Sequence, residues 1–228
     1  MRRTAFLGLF LVLGIACQPL LRPDRSPGSP VPPDGESCSI PHPQNSFRAI
    51  HAIDISLPLG RQSTVIGIII ADLASGRLRT TLLSLEGLVL FDATSVSGRT
   101  EVHRALPPLD AGAFAENLVT DVKFLFWPEN STANISAGRK NSTTMCRRTI
   151  GPACILEAGS DGSGARILRQ YDEKGKLIRE ATASGPVSPE GFPQKMRLQV
   201  YRGIGDYSLS LELVEGELIE PSDLLFEP

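Results

Sequence analysis

The chain has 228 residues, with 23 Lys and Arg against 25 Asp and Glu, a formal net charge of −2. With both signs mixed and no basic surplus, it lacks the electrostatic footprint of a nucleic-acid binder, and no nucleic-acid partner is expected. No G-x-S-x-G, H-E-x-x-H, C-x-x-C or phosphate-loop pattern occurs, so the sequence offers no catalytic signature, cofactor or metal site.

The first residues, MRRTAFLGLFLVLGIAC, place Arg2 and Arg3 ahead of an apolar run, Ala5 to Leu13, and small residues before Cys17. That is the layout of an export signal; the run is shorter than the roughly 20 residues a membrane-spanning helix needs. Gly14-Ile15-Ala16-Cys17 resembles the bacterial lipobox, with Gly14 where Leu is usual. The resemblance implies cleavage after residue 16 and lipidation of Cys17. Gln18, in place of the Asp that retains such proteins in the inner membrane, implies an outer-membrane location with the domain facing the periplasm. The acyl chains would be the contact with the membrane. Residues 17–45 are crowded with Pro, Ser and Gly and read as an extended tether. His42, between two prolines, reads as a solvated linker residue.

Residues 46–228, about 180 in number, suit one domain. Ser46 to Leu57 alternates, with Phe47, Ala49, His51, Ile53, Ile55 and Leu57 on one face, which predicts a strand with that face inward. His51 on this apolar face is expected to be hydrogen-bonded in the core or at an edge; a functional role is the alternative. Thr64 to Ala93 predicts three strands punctuated by Ser75-Gly76 and Glu86-Gly87. Val65 to Ala71 is apolar on both alternating faces, as in a strand covered on two sides. Gly98-Arg99 marks a further turn, and a fifth strand follows with Val102 and Leu106 as its apolar members and His103 exposed.

Pro107-Pro108 ends the sheet run, Asp110 is an N-cap candidate, and Ala111 to Phe126 predicts a helix at about 110–126. Phe114, Ala115, Leu118, Val119, Val122, Leu125 and Phe126 fall on one face, with Glu116, Thr120 and Lys123 opposite. Such a helix must lay its apolar face across the strands, either as ordinary core or as a lid over a cavity. Glu129 to Thr144 reads as a polar loop, and its three N-x-Ser/Thr sequons are discounted alongside a bacterial signal. Cys146 and Cys154 flank a short loop, where a disulfide is plausible; Cys38 could compete, and no His is near enough to complete a zinc site. ACILEA, ARILRQY and KLIREATAS predict strands. The last hairpin places Met196, Leu198 and Val200 on one face of its first strand, and Tyr207, Leu209, Leu211 and Leu213 on the inner face of its second.

The run EGLVLFDA, then LPPLDAGAFAENLVTDVKFLFWP, then the closing FPQKMRLQVYR…DYSLSLEL hairpin resembles a family of proteobacterial outer-membrane lipoproteins related in fold to LolA and LolB. The resemblance covers roughly residues 46 to 216. It implies a mainly β (α+β) fold, a strongly curved open antiparallel sheet (a half-barrel) with an amphipathic helix lid over an apolar cavity. In LolA and LolB that cavity holds the acyl chains of lipoproteins in transit. The N-terminal helix expected of LolA is missing here, and the protruding apolar loop of LolB has only Leu57-Pro58-Leu59 and the Ser75-Gly76 turn as counterparts. The expected cavity lining is Ile66, Ile68, Ile70, Leu88 and Leu90 from the first meander. Phe114, Leu118 and Leu125 would line it from the helix, and Met196, Leu198, Leu209 and Leu211 from the last hairpin. The expected function is non-catalytic binding of acyl chains or other lipoproteins. The alternative is an accessory envelope lipoprotein whose core is filled by its own side chains.

Overall fold

A computed structural model of the chain describes residues 43, 45–57, 60–110, 113–126, 135–140, 143–150, 154–160, 165–201 and 206–220. The strands between 135 and 160 are given by their backbone pairing. The expected signal peptide, lipidation site Cys17, and Cys38 lie outside the described residues, as do the prolines of the tether before Pro43. Pro43 itself is fully buried and Ser46 is buried, so packing begins a few residues before the boundary expected at 46.

Alternating hydrophobicity builds most of the strands. They are β1 (Phe47–Ser56), β2 (Gln62–Asp72), β3 (Arg77–Leu83), β4 (Val89–Val96) and β5 (Arg99–Ala105). One helix, α1 (Phe114–Phe126), follows. Then come β6 (Ile135–Lys140), β7 (Thr143–Ile150), β8 (Cys154–Ser160), β9 (Arg166–Tyr171), β10 (Leu177–Val187), β11 (Pro193–Val200) and β12 (Tyr207–Leu218). All twelve belong to one sheet ordered β5-β4-β3-β2-β1-β12-β11-β10-β9-β8-β7-β6, and every pair is antiparallel. Two meanders are thus joined at the centre by β1 and β12. The outer strands β5 and β6 do not pair, and the sheet is curved and unclosed.

This topology decides where α1 must lie. The chain leaves the sheet at one edge, after β5, and re-enters at the opposite edge, at β6. The helix in that connection crosses a face of the sheet, and its apolar stripe goes inward because burial of each large aliphatic or aromatic side chain is worth roughly 1.5–3 kcal/mol. Val119, Val122, Leu125 and Phe126 are buried. Phe126 meets Phe47 of β1, with ring centroids 6.1 Å apart, and Phe114 meets Phe91 of β4 edge-on at 5.6 Å.

Several expectations are corrected. The helix begins at Phe114 rather than Ala111, after a turn at Ala113. The stretch expected to be a loop, Glu129 to Thr144, contains β6 and the start of β7. Ile135–Lys140 has no alternating apolar pattern; pairing with β7 makes it a strand. The fourth turn is centred on Ser97-Gly98, both with positive φ (49° and 83°), as a two-residue hairpin turn requires.

The disulfide expected between Cys146 and Cys154 is also excluded by register. Cys154 pairs with Ile150, and Cys146 pairs with Ala158. Four residues of strand separate Cys146 from the position opposite Cys154, about 13 Å at strand rise. A disulfide needs Cα atoms within roughly 7 Å.

Candidate ligand-binding face beneath the helix

Register identifies the face of the sheet that α1 covers. On β1, Phe47, Ala49, His51 and Ile53 are buried and point to the helix side; in register on β2 stand Ala71, Ile69, Gly67 and Val65. Leu78, Thr80 and Leu82 continue this set on β3, and Ser95, Ala93 and Phe91 on β4. From the second meander come Leu211, Met196, Leu198, Val200, Ala181 and Leu168, all buried.

The expected lining residues divide accordingly. Leu125, Met196, Leu198 and Leu211 are buried in this core, and Leu90, Phe114, Leu118 and Leu209 are half-buried against it. Ile66, Ile68 and Ile70 occupy the other face of β2, half-buried, beside Leu83, Thr81 and Arg79 of β3, so their inward assignment is corrected. Leu88 is corrected too: it lies in the turn before β4 and is 50% exposed. The signal that settles the choice on β2 is Gly67. A Cβ there would come 2.4 Å from Ile53 Cδ1, so the glycine belongs to the packed set and its β-branched neighbours do not.

Two polar features sit in this apolar face. The first is an ion pair: Arg179 Nε on β10 donates to Asp121 Oδ1 on α1 at 2.7 Å, and the Tyr207 hydroxyl donates to Asp121 Oδ2. Arg179 Nη1 also donates to Gln170 Oε1 on β9 at 3.0 Å. The Asp121 side chain is 2% exposed and that of Arg179 10%. Sequence reasoning missed both residues. The signal was present, since Asp121 is three residues from Leu118 and four from Leu125, hence on the same helix face. The helix is further tied by Lys123, whose Nζ donates to buried Ser95 Oγ at 3.1 Å.

The second feature is His51, 1% exposed, with neither ring nitrogen hydrogen-bonded to another group. The expected hydrogen-bonded core histidine is therefore corrected: it is in the core and unpartnered. Its ring lies 5.3 Å from that of Phe126. Its strand neighbours are Gly67 and Leu213, which offer no charge, and burial pushes the imidazole down to about 4. Thr80 Oγ1, on the same face, is likewise buried and unpartnered. Leaving such a group unmade costs about 1–3 kcal/mol, and native interiors rarely do so.

No family model matches the chain, and no curated protein does. Among solved structures, it is similar to a LolA superfamily protein from Nitrosomonas europaea, with a TM-score of 0.50 and 13% identity over 85% of this chain and 94% of that one. The chain has a LolA-like fold. It is also similar to a Vibrio parahaemolyticus domain provisionally named for outer-membrane lipoprotein sorting, at a TM-score of 0.47 and 10% identity over 78% of this chain and 88% of that one. For a DUF1329 family protein from Desulfovibrio piger the values are 0.43 and 11%, over 80% and 88%. In the LolA-like sheet of this chain, the covered face is apolar apart from the Asp121 network, Ser95, Thr80 and His51. Among the described residues no cluster of three or more metal-ligating side chains occurs, and no helix is long and apolar enough to cross a membrane.

Proposed function

We propose that the chain is a non-catalytic envelope lipoprotein that holds acyl chains, free or attached to another lipoprotein, between α1 and the covered face of the sheet. The observation that carries this reading is the placement of α1. It joins opposite edges of an unclosed sheet and lays an apolar stripe over an apolar face. Apolar area removed from water, at about 25 cal/mol per Å², would drive binding and leave chain length loosely specified. The LolA-like fold supports the reading, and the lipobox-like sequence before Cys17 supports an outer-membrane anchor with the domain in the periplasm.

A second reading has its own observation. Phe47, Phe126 and Phe192 contact one another through Phe47, at 6.1 and 5.5 Å between centroids, and all three are at most 3% exposed. Side chains packed this way favour a filled core, with the protein acting as an accessory that docks another envelope component. Native mass spectrometry of the delipidated protein, with a hydrophobic fluorophore titrated in parallel, separates the two. A retained acyl ligand and saturable fluorophore binding are expected for the carrier; a bare mass and no binding would leave the accessory reading. The anchor is tested by radiolabelled palmitate, whose incorporation Cys17→Ser should abolish.

A further inference from the structure

We propose that His51 is the hydrogen-bonding anchor for an uncharged oxygen of the ligand, the ester or amide carbonyl of an acyl chain, held under α1. This rests on the acyl-binding reading above and assigns the polar end of that ligand a place. An apolar cavity alone would hold a hydrocarbon tail and say nothing about its head.

Three observations carry the assignment. His51 is on the face that α1 covers, against Phe126, and is 1% exposed with both ring nitrogens free of hydrogen bonds. Buried polar groups in folded chains have partners, so an orphaned imidazole in an apolar setting marks a position where a group outside the chain completes the bonding. Other polar side chains at the helix–sheet contact are already engaged: Asp121 by Arg179 and Tyr207, Arg179 also by Gln170, and Ser95 by Lys123. Arg179 therefore presents no spare positive charge to an anionic head. The second orphan, Thr80 Oγ1, lies two strands away on the same face, about 12 Å from His51 between Cα atoms. It supplies a second uncharged donor in the same lining.

The chemistry selects the class of ligand. Burial keeps the imidazole neutral near pH 7, so it has one N–H to donate and one nitrogen to accept. A carbonyl oxygen takes the donated proton without bringing a charge into the apolar face. A carboxylate would bring one, with no free cation among the described residues of that face to meet it.

The test compares two probes of equal chain length, methyl palmitate and hexadecane, each displacing a bound hydrophobic fluorophore from the purified full-length protein. Wild type is expected to release the fluorophore at an ester concentration about 5- to 10-fold lower than the hydrocarbon concentration. His51→Leu should bring the two curves together, while His51→Gln, which keeps a donor, should retain part of the ester preference. Circular dichroism melts confirm that each variant is folded. Ring ¹⁵N resonances of His51 should also shift on adding methyl palmitate. Equal displacement by both probes in wild type, or an ester preference that survives His51→Leu, overturns the assignment and leaves acyl binding standing. Failure of the fluorophore and both probes to bind wild type removes the acyl-binding reading, and the His51 anchor with it.

Discussion

A buried, unpartnered histidine makes stability depend on pH in a definable direction. In the unfolded chain the imidazole titrates near 6.5; in the folded protein burial depresses it to about 4. Between those values the unfolded state binds the proton and the folded state does not, so stability rises with pH and is lost as pH falls. Integrating over that window gives a loss of about 2 kcal/mol between pH 7 and pH 5, and about 3 kcal/mol by pH 4. The lowered carboxylates act elsewhere. Asp72 is held down first by the Ser75 hydroxyl. Asp92 is pushed up by burial, which its bonds from Arg79 and Thr81 outweigh. Their contributions are complete above the unfolded carboxyl value and are lost as pH falls below it. Urea unfolding at pH 7, 6 and 5 reads the effect. With a slope of about 2 kcal/mol per molar urea, the wild-type midpoint should fall by roughly 1 M across the series. His51→Leu removes the titrating group and should flatten that fall, while raising stability at pH 7 by about 1 kcal/mol as an orphaned polar group leaves the core. Parallel pH series for wild type and His51→Leu would refute the reasoning, because the imidazole would then see the same environment folded and unfolded.

Other outcomes follow from the same face. Asp121→Ala should destabilise the fold by roughly 3–5 kcal/mol in chemical denaturation, because it strands the Arg179 guanidinium in the interior; adding Arg179→Met should recover much of the loss. Gly67→Ala, whose new Cβ would meet Ile53 Cδ1 at 2.4 Å, should cost about 1–3 kcal/mol, and pairing it with Ile53→Val should relieve part of that. Ile68→Thr, on the face of β2 opposite α1, should leave fluorophore binding unchanged, in contrast to Leu198→Ala in the covered face.

Much of the sheet was legible because half of each strand is apolar and half is not. β1, β11 and β12 alternate clearly, and their inward sets, Phe47 to Ile53, Met196 to Val200, and Leu209 with Leu211, face as the pattern predicts. β2 defeated the same logic since both its sets are aliphatic; alternation carries no sign when both faces look alike. The deciding residue was Gly67, whose meaning depends on Ile53 reaching over it from another strand. β6 was invisible for a different reason: Ile135–Lys140 owes its strand state to its partner β7 rather than to its own composition. At the candidate site, the apolar helix stripe was readable and its acidic member was not. Asp121 makes sense inside only with Arg179, 58 residues further along the chain.

The Asp121–Arg179 pair and His51 bear on whether the helix is a lid or a permanent cover. A pair of charges buried between α1 and β10 holds the helix in one register, yet its net contribution is small, since the desolvation of both charges offsets most of their attraction. Ring contacts of Phe126 with Phe47 and His51 add apolar burial at the helix end. Against them stand two unmade hydrogen-bonding groups, His51 and Thr80, which together cost about 2–6 kcal/mol in the closed arrangement. A core optimised only for stability would place leucine or valine at those positions. The apolar stripe of Val119, Val122, Leu125 and Phe126, at roughly 1.5–3 kcal/mol for each side chain, outweighs that cost, so α1 is closed at rest and a ligand beneath it would have to replace those contacts at about 0.8 kcal/mol for each methylene it buries. On the acyl-binding reading proposed above, the ligand displaces the helix, and His51→Leu, which favours closure further, should slow fluorophore entry as well as equalise the two probes. Entry at an unchanged or faster rate in that variant would refute this account of α1 as a lid.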